Sequence, residues 1–245
     1  MKFLILLLLM PCLAVAGWQQ LEPGLELAYF ADPADKDEER IAILRVDSEN
    51  FDLKLLCAEN GVSKSTKKWC EDSGAVAAIN ASMFQQDNKT SVSLMKSGDY
   101  VNNSYFSKDK TILAFNCNND TVPQFKIIDV TCDDFVELSQ NYSTVVQSIR
   151  MISCRGNNVW SQQDRKHSAT AIGIDSQGRI LLIYCWYAYS TYDLNNILLQ
   201  LPIDIDRAMY TEGGTLAQMH VNNAEKLHNR GWAIPNVIAV IPKEK

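Results

Sequence analysis

Between positions 51 and 55 apolar and polar residues alternate strictly, Phe51-Asp52-Leu53-Lys54-Leu55, the period-two signature of a half-buried β-strand. Runs 25–30 and 41–46 are apolar and end in polar breakers, and they too predict strands. The run 75–79 is built of small apolar residues and predicts a buried strand that stops at Asn80. Further strands are predicted at 112–115, 125–130, 208–210, 217–221 and 237–241. Two hairpins are predicted. One spans 91–101 around Ser97-Gly98-Asp99, and the other joins 172–174 to 180–185 through Asp175-Ser176-Gln177-Gly178.

Helical patterning is sparser. The sequence predicts a short helix over 63–73 with Ser63 as cap, and a second over 133–142 capped by Asp133. A third opens at Thr191, carries Leu194, Ile197 and Leu198 on its apolar face, and is stopped by Pro202. Strands outnumber helices and do not alternate with them as a doubly wound fold requires. The expected class is therefore α+β, a mixed β-sheet core with a few flanking helices in a single domain over 17–245.

The N-terminus changes the picture of where the chain works. Met1-Lys2 is followed by an almost wholly apolar run over 3–15, and Ala14-Val15-Ala16 supplies a small-x-small cleavage pattern. Residues 1–16 are read as a signal peptide, giving a secreted or periplasmic product. A lipoprotein would use Cys12, but Leu9-Met10-Pro11 is a poor match before it. The run is shorter than the roughly 20 residues of a membrane span, and no second apolar stretch is long enough. Of seven cysteines, removing Cys12 leaves Cys57, Cys70, Cys117, Cys132, Cys154 and Cys185, an even set that fits disulfides in an oxidising compartment. The short separations favour Cys57–Cys70 and Cys117–Cys132, and Cys185, inside an apolar run, is the best candidate for a reduced core residue. Asn-x-Ser/Thr sequons stand at Asn80, Asn88, Asn102, Asn119 and Asn141.

With 23 basic and 29 acidic residues the net charge is −6, and no basic stripe of the kind nucleic acid requires is present. No CxxC, Cys/His pair at metal spacing, Walker loop or Gly-x-Ser-x-Gly appears, so neither metal nor cofactor is expected. His220 and His228 read as surface or hydrogen-bonding residues.

Three segments could carry chemistry. Asn80, after the small-residue strand, could face a cleft and bind a ligand, or it could fasten the turn, the commoner role. Glu212 precedes Gly213-Gly214 between two strand-like runs. A carboxylate there is a candidate for glycosidic chemistry, and adjacent glycines can aim N–H groups at an anion; the alternative is a tight turn with a solvated Glu. Arg165-Lys166 form a basic cluster that could clamp a phosphate or lie in a solvated loop.

In order along the chain, these segments resemble the phosphodiester glycosidase domain family. The resemblance rests on Asn80 to Phe84, on Gln147-Ser148-Ile149-Arg150-Met151-Ile152, on the hairpin from Ile172 to Arg179, on Glu212-Gly213-Gly214, and on the closing strand from Pro235 to Val240. It is similar above all to the family's bacterial exported branch. It departs from the branch of the N-acetylglucosamine-1-phosphodiester uncovering enzyme, where Asp-Gly-Gly-Gly-Ser and an Arg-Thr pair commonly stand in place of Glu212 to Leu216 and of Ala169-Thr170. The resemblance implies hydrolysis of an N-acetylglucosamine-like sugar from a sugar-1-phosphodiester or related glycan. Glu212 would act as the carboxylate, and Asn80 and Gln147 would position the sugar. Gly213, Gly214, Arg165 and Lys166 would hold the phosphate, with Arg150 able to compensate for the missing Arg. The alternative is a non-catalytic envelope or carbohydrate-binding module on the same fold.

Overall fold

The computed structural model describes residues 17–224 and 226–244. The expected signal peptide, with Cys12, lies outside the described residues. In chain order the strands begin with β1 (Gln19–Glu22), β2 (Leu25–Asp32), β3 (Asp35–Val46) and β4 (Phe51–Cys57), and α1 (Thr66–Ser73) follows. Then come β5 (Ala77–Asn80), β6 (Met95–Ser97), β7 (Tyr100–Asn103), β8 (Thr111–Cys117) and β9 (Phe125–Asp129). After α2 (Phe135–Ser139) come β10 (Tyr142–Ile152), β11 (His167–Asp175) and β12 (Ile180–Tyr189). The chain closes with α3 (Thr191–Gln200), β13 (Ile205–Gly213), a 3-10 turn at Gly214–Leu216, β14 (Met219–Val221) and β15 (Asn236–Pro242).

Two sheets stack. The larger runs β1-β2-β3-β12-β11-β13-β10-β6-β7, with β8 joined to β10 and β9, and the smaller runs β14-β5-β15-β4. The class is α+β, as expected, and every ladder is antiparallel. The alternation read at 51–55 is realised in β4: Phe51, Leu53 and Leu55 are buried while Asp52 and Lys54 face water. These side chains join Leu44, Ile79, Leu182, Met209 and Ile238 in the core between the sheets. Each such buried side chain contributes about 1.5–3 kcal/mol. A second core lies on the outer face of the large sheet, where Leu194, Ile197 and Leu198 of α3 pack against Ile41, Ile183 and Ala208. The apolar face predicted for that helix is the one it buries.

Differences from the expected elements have local causes. Helix α1 is capped by Ser65, whose side chain accepts from the Lys68 amide, and not by Ser63. Asp134, accepting from the Glu137 amide, caps α2, while Asp133 instead accepts from Arg207 and from the Asp129 amide. Ser190 caps α3, one residue before Thr191. The predicted 133–142 helix stops at Ser139 because Tyr142 already opens β10, a long central strand that the apolar pattern does not predict. The 217–221 strand shortens to β14, since the chain first makes the 3-10 turn. The Asp175 to Gly178 turn forms as read: Asp175 Oδ1 accepts from the amides of Gln177 and Arg179, and Gly178 takes φ 82°.

The disulfide expectation is corrected. The bond joins Cys132 to Cys154, while Cys57, Cys70 and Cys117 are free. Cys57 lies beside the Met95 sulfur, and Cys70 is on the buried face of α1. Cys185 is buried and free, as expected. Among the described residues no helix is long and apolar enough to cross a membrane.

Candidate functional site

The site forms where β11 and β13 run out at the same end of the large sheet. Along most of their length the two strands pair residue for residue, but Ala171 stands opposite Tyr210 and Thr170 opposite Glu212. Thr211 is therefore an extra residue, a β-bulge. A bulge shifts by one residue which side chains face which side of the sheet, and bulges re-aim side chains beside active sites. Beyond it Glu212 shares the face of Thr170, the face turned toward β5. Gly213 shares the outer face with its partner Ala169 and with Tyr210. The outcome is visible in the packing: a methyl group placed on Gly213 would sit 1.8 Å from the Tyr210 hydroxyl.

The two glycines thus do different work. Gly213 has φ −142°, which any residue adopts, and is required for space. Gly214 has φ 68° with nothing within 4 Å of where a Cβ would stand, and is required for backbone conformation. Together they let the chain leave the strand and enter the 3-10 turn directly after Glu212.

Asn80 fixes that turn. Buried at the end of β5, it donates to the Leu216 carbonyl at 3.1 Å, and its Oδ1 accepts from the Gln218 amide at 2.8 Å and from Thr170 Oγ1 at 3.3 Å. Thr211 Oγ1 donates onward to Thr170 Oγ1 at 2.9 Å. Asn80 is therefore the turn-fastening residue of the two roles read from the sequence. Ser168 Oγ adds a bond to the Gly214 carbonyl at 2.7 Å.

Glu212 is the acidic group that this strand end carries. It is partly buried, forms no ion pair among the described residues, and accepts the Gly213 amide on its own Oε1 at 2.9 Å. Burial pushes its carboxyl up to about 7, and the Gly213 amide offsets only part of that shift. A carboxyl that titrates near neutrality without a cation beside it is suited to proton transfer or to meeting positive charge that develops only during a reaction.

A cavity of about 410 Å³ opens next to this strand end. Gly214, Thr215 and Ala217 line one side of it, and Ser168, Tyr184 and Trp186 line another. His228 and Arg230 reach it from the coil after β14, and Glu38, 3.5 Å from Arg40, is the carboxylate that lines it; Glu212 does not line it. Ser168 lies on the same face as Thr170, two residues along β11, so Glu212 is one step along the ladder from the cavity wall. Trp186 is held between Tyr184 and His228, with ring centroids at 6.0 and 5.1 Å. The Tyr184 hydroxyl ties the coil down by donating to the His228 carbonyl at 2.8 Å.

The structure brings Asn80, Glu212, Gly213 and Gly214 together. Of the other expected residues, Arg165 alone comes near enough to act on this group, lowering the Tyr210 hydroxyl against the effect of burial. Gln147 is buried with its carboxamide engaged by the 107–109 segment: its Oε1 accepts the Ser107 amide, and its Nε2 donates to the Ser107 and Asp109 carbonyls. It holds a loop and has no free group for a sugar. Arg150 is bound to both oxygens of the buried Asp129. Arg165 and Lys166 lie exposed in the coil before β11 and do not line the cavity. Gly213, expected to offer its N–H to phosphate, donates it to Glu212. Thr170, Thr211, Trp186 and Arg230 were not foreseen. Only a register shift reveals the first two, and the last two come from distant segments.

The sequence profile described as phosphodiester glycosidase matches residues 73–241. Among solved structures, the catalytic domain of zebrafish N-acetylglucosamine-1-phosphodiester α-N-acetylglucosaminidase, auto-inhibited by its pro-peptide, superposes with a TM-score of 0.69 at 14% identity. That match covers 92% of this chain and 86% of the zebrafish domain. A hypothetical protein from Synechocystis superposes with a TM-score of 0.62 at 13% identity, over 89% of this chain and 62% of its own. A search of curated proteins returns no match.

Proposed function

Because this chain belongs to the phosphodiester glycosidase family, we propose that it hydrolyses a sugar-1-phosphodiester at the bond between the anomeric carbon and the phosphate oxygen. The observation that carries this reading is Glu212: a carboxylate without a cation, raised to about 7 by burial, re-aimed by a bulge and set beside a polar, aromatic-walled cavity.

The chemistry asks little of a general acid, because a phosphate monoester leaves readily as an anion. What must be stabilised is the positive charge growing on the sugar ring and the negative charge leaving with the phosphate. Ionised Glu212 meets the first. Arg230 takes the second, in the role expected of Arg165 and Lys166. Trp186 offers the sugar a flat apolar face, with Tyr184 and His228 holding its ring in place. Water supplies the hydroxyl that ends on the sugar and the proton balance for the released phosphate. An N-acetylglucosamine-like sugar is the first to test. Residues 1–16, together with the Cys132–Cys154 disulfide, support a site of action outside the cytoplasm.

A second reading, a carbohydrate-binding module without turnover, is favoured by Ala169. It stands where the uncovering-enzyme branch commonly carries an arginine, and so lacks a bidentate contact for phosphate. The deciding experiment is incubation of the purified protein with UDP-N-acetylglucosamine and a panel of sugar-1-phosphate diesters. Free sugar that appears with wild type and not with Glu212→Gln supports the hydrolase. Saturable binding with no free sugar selects the module.

A further inference from the structure

A second groove lies away from the Glu212 cavity. One cavity of about 360 Å³ is bounded by Lys108, Asp109 and Lys110 on one side and by Trp160 and Ser161 on the other, with Ile149 and Arg150 of β10 between. A second, of about 250 Å³, carries Arg155 and shares Arg150 and Val159 with the first, so the two adjoin at those residues. Lys108, Lys110 and Arg155 form no ion pair among the described residues.

The acidic groups nearby are already engaged. Asp109 accepts the hydroxyls of Ser93 and Ser107 at 2.9 and 2.6 Å. Asp129 accepts from Arg150 and from the Cys154 amide. Arg150, where the cavities meet, keeps a buried Nε with no acceptor. Three free cations on one groove stand out in a chain whose net charge is −6. The groove also has an aromatic floor plate. Trp160 donates its indole N–H to the Arg150 carbonyl at 2.6 Å and packs 6.1 Å from the Tyr210 ring, which fixes its orientation.

We propose that this groove binds an acidic glycan strand, with a sugar ring on Trp160 and the anionic groups of neighbouring units on Lys108, Lys110 and Arg155. Two adjoining cavities with cations spaced across them fit a chain of charged sugars. A single aromatic ring and an acidic protein fit a nucleic-acid strand poorly, because strand binding relies on successive stacking platforms and a dominant positive field. The proposal does not depend on Glu212 or on hydrolysis.

The test is calorimetric titration of the full mature chain with oligogalacturonate, with its methyl-esterified neutral form, and with oligothymidylate of equal charge. Wild type is expected to bind oligogalacturonate in a salt-sensitive manner and the neutral form much more weakly. The triple variant Lys108→Gln, Lys110→Gln, Arg155→Gln changes only exposed side chains, and its melting temperature should be unchanged. It should lose about tenfold or more in affinity, as expected for removing charge-assisted contacts. The proposal is overturned if wild type does not bind oligogalacturonate, if the triple variant or the methyl ester binds as well as its counterpart, or if oligothymidylate binds as tightly.

Discussion

Thr170 on β11 stands directly opposite Glu212 on β13, although its neighbour Ala171 stands opposite Tyr210, so one residue of β13 has no counterpart. That single unpaired residue, Thr211, decides which side of the sheet the carboxylate serves. Were Thr211 instead paired with Thr170 in a regular ladder, Glu212 would share the outer face with Tyr210. With the bulge, the carboxylate lies on the face of Thr170, and so toward Asn80 and the cavity wall. If the proposed chemistry is right, Glu212→Gln keeps the shape and removes the charge. Sugar release should fall by about a hundredfold or more, the lower range for loss of an acid–base group. The check is kcat on a substrate from the diester panel, and near-wild-type turnover removes Glu212 from the mechanism.

The same group sets a pH profile. Its carboxyl is raised to about 7, and the role assigned to it requires the ionised form. For a substrate that does not itself titrate in that range, kcat/KM should rise with pH and level off above about 7. A profile that falls through the same region would make Glu212 a proton donor.

Stability should respond in the opposite sense. In the unfolded chain the carboxyl returns to its ordinary value near 4.5. Between there and about 7 the unfolded state has lost a proton that the folded state still holds, so stability falls as pH rises, and the penalty is complete above 7. Its upper bound is about 3 kcal/mol, reduced by whatever water reaches the group. Urea unfolding of wild type and Glu212→Gln at pH 5 and pH 8 measures it. The variant should gain on wild type at pH 8 and match it more closely at pH 5.

Asn80 has a structural role that predicts a different signature. Asn80→Ala strands the Leu216 carbonyl and the Gln218 amide in the interior, at a cost of about 2–4 kcal/mol for two buried groups left unpaired. Denaturant unfolding should show that loss. A substitution costing under about 0.5 kcal/mol would mean the 3-10 turn is held by other contacts.

How much of this was legible in the residues depends on how local each cause is. The strand over 51–55 and the apolar face of α3 were readable because burial writes its period directly into adjacent positions. The Asp175 turn was readable because the aspartate and the glycine that make it are three apart. Glu212 and its glycines stood out as a segment, but the bulge that aims the carboxylate did not. A bulge is a relation between two strands, and nothing in Tyr210-Thr211-Glu212 alone marks it. Arg165 and Lys166 drew attention as a run of charge, whereas Arg230, a lone arginine in a coil, carries no local signal and reaches the cavity only through the fold. Gln147 was picked out by resemblance, and its engagement with the 107–109 segment required coordinates.

The cysteines show the same limit, since short separation along the chain is a weak guide to proximity in space. The structure joins Cys132 to Cys154 across the β9 and β10 ends and leaves Cys57, Cys70, Cys117 and Cys185 reduced. Alkylation of the non-reduced protein followed by peptide mass spectrometry should give one linked pair and four labelled thiols once the protein is unfolded. A Cys57–Cys70 peptide would overturn that assignment. Replacing Cys132 and Cys154 by serine should cost roughly 2–4 kcal/mol.

The two glycines give the sharpest separation of causes, because the same substitution fails at each for a different reason. Gly213→Ala drives a methyl group against the Tyr210 hydroxyl and brings it to 2.9 Å from His167 Nδ1. Tyr210 is poorly able to retreat, since it is packed between Trp160 and His167. The cost should be about 1–3 kcal/mol, as for overpacking in a core. Adding Tyr210→Phe removes the colliding oxygen and should restore part of that loss. Gly214→Ala meets no atom within 4 Å, and its cost comes from the backbone at φ 68°, about 1–2 kcal/mol for a residue with a Cβ. Tyr210→Phe should leave that cost untouched. Thermal and urea unfolding of wild type, Tyr210→Phe and each glycine variant with and without Tyr210→Phe therefore form a crossed test. Recovery of Gly213→Ala alone supports space at one glycine and conformation at the next, and equal recovery of both, or of neither, contradicts it.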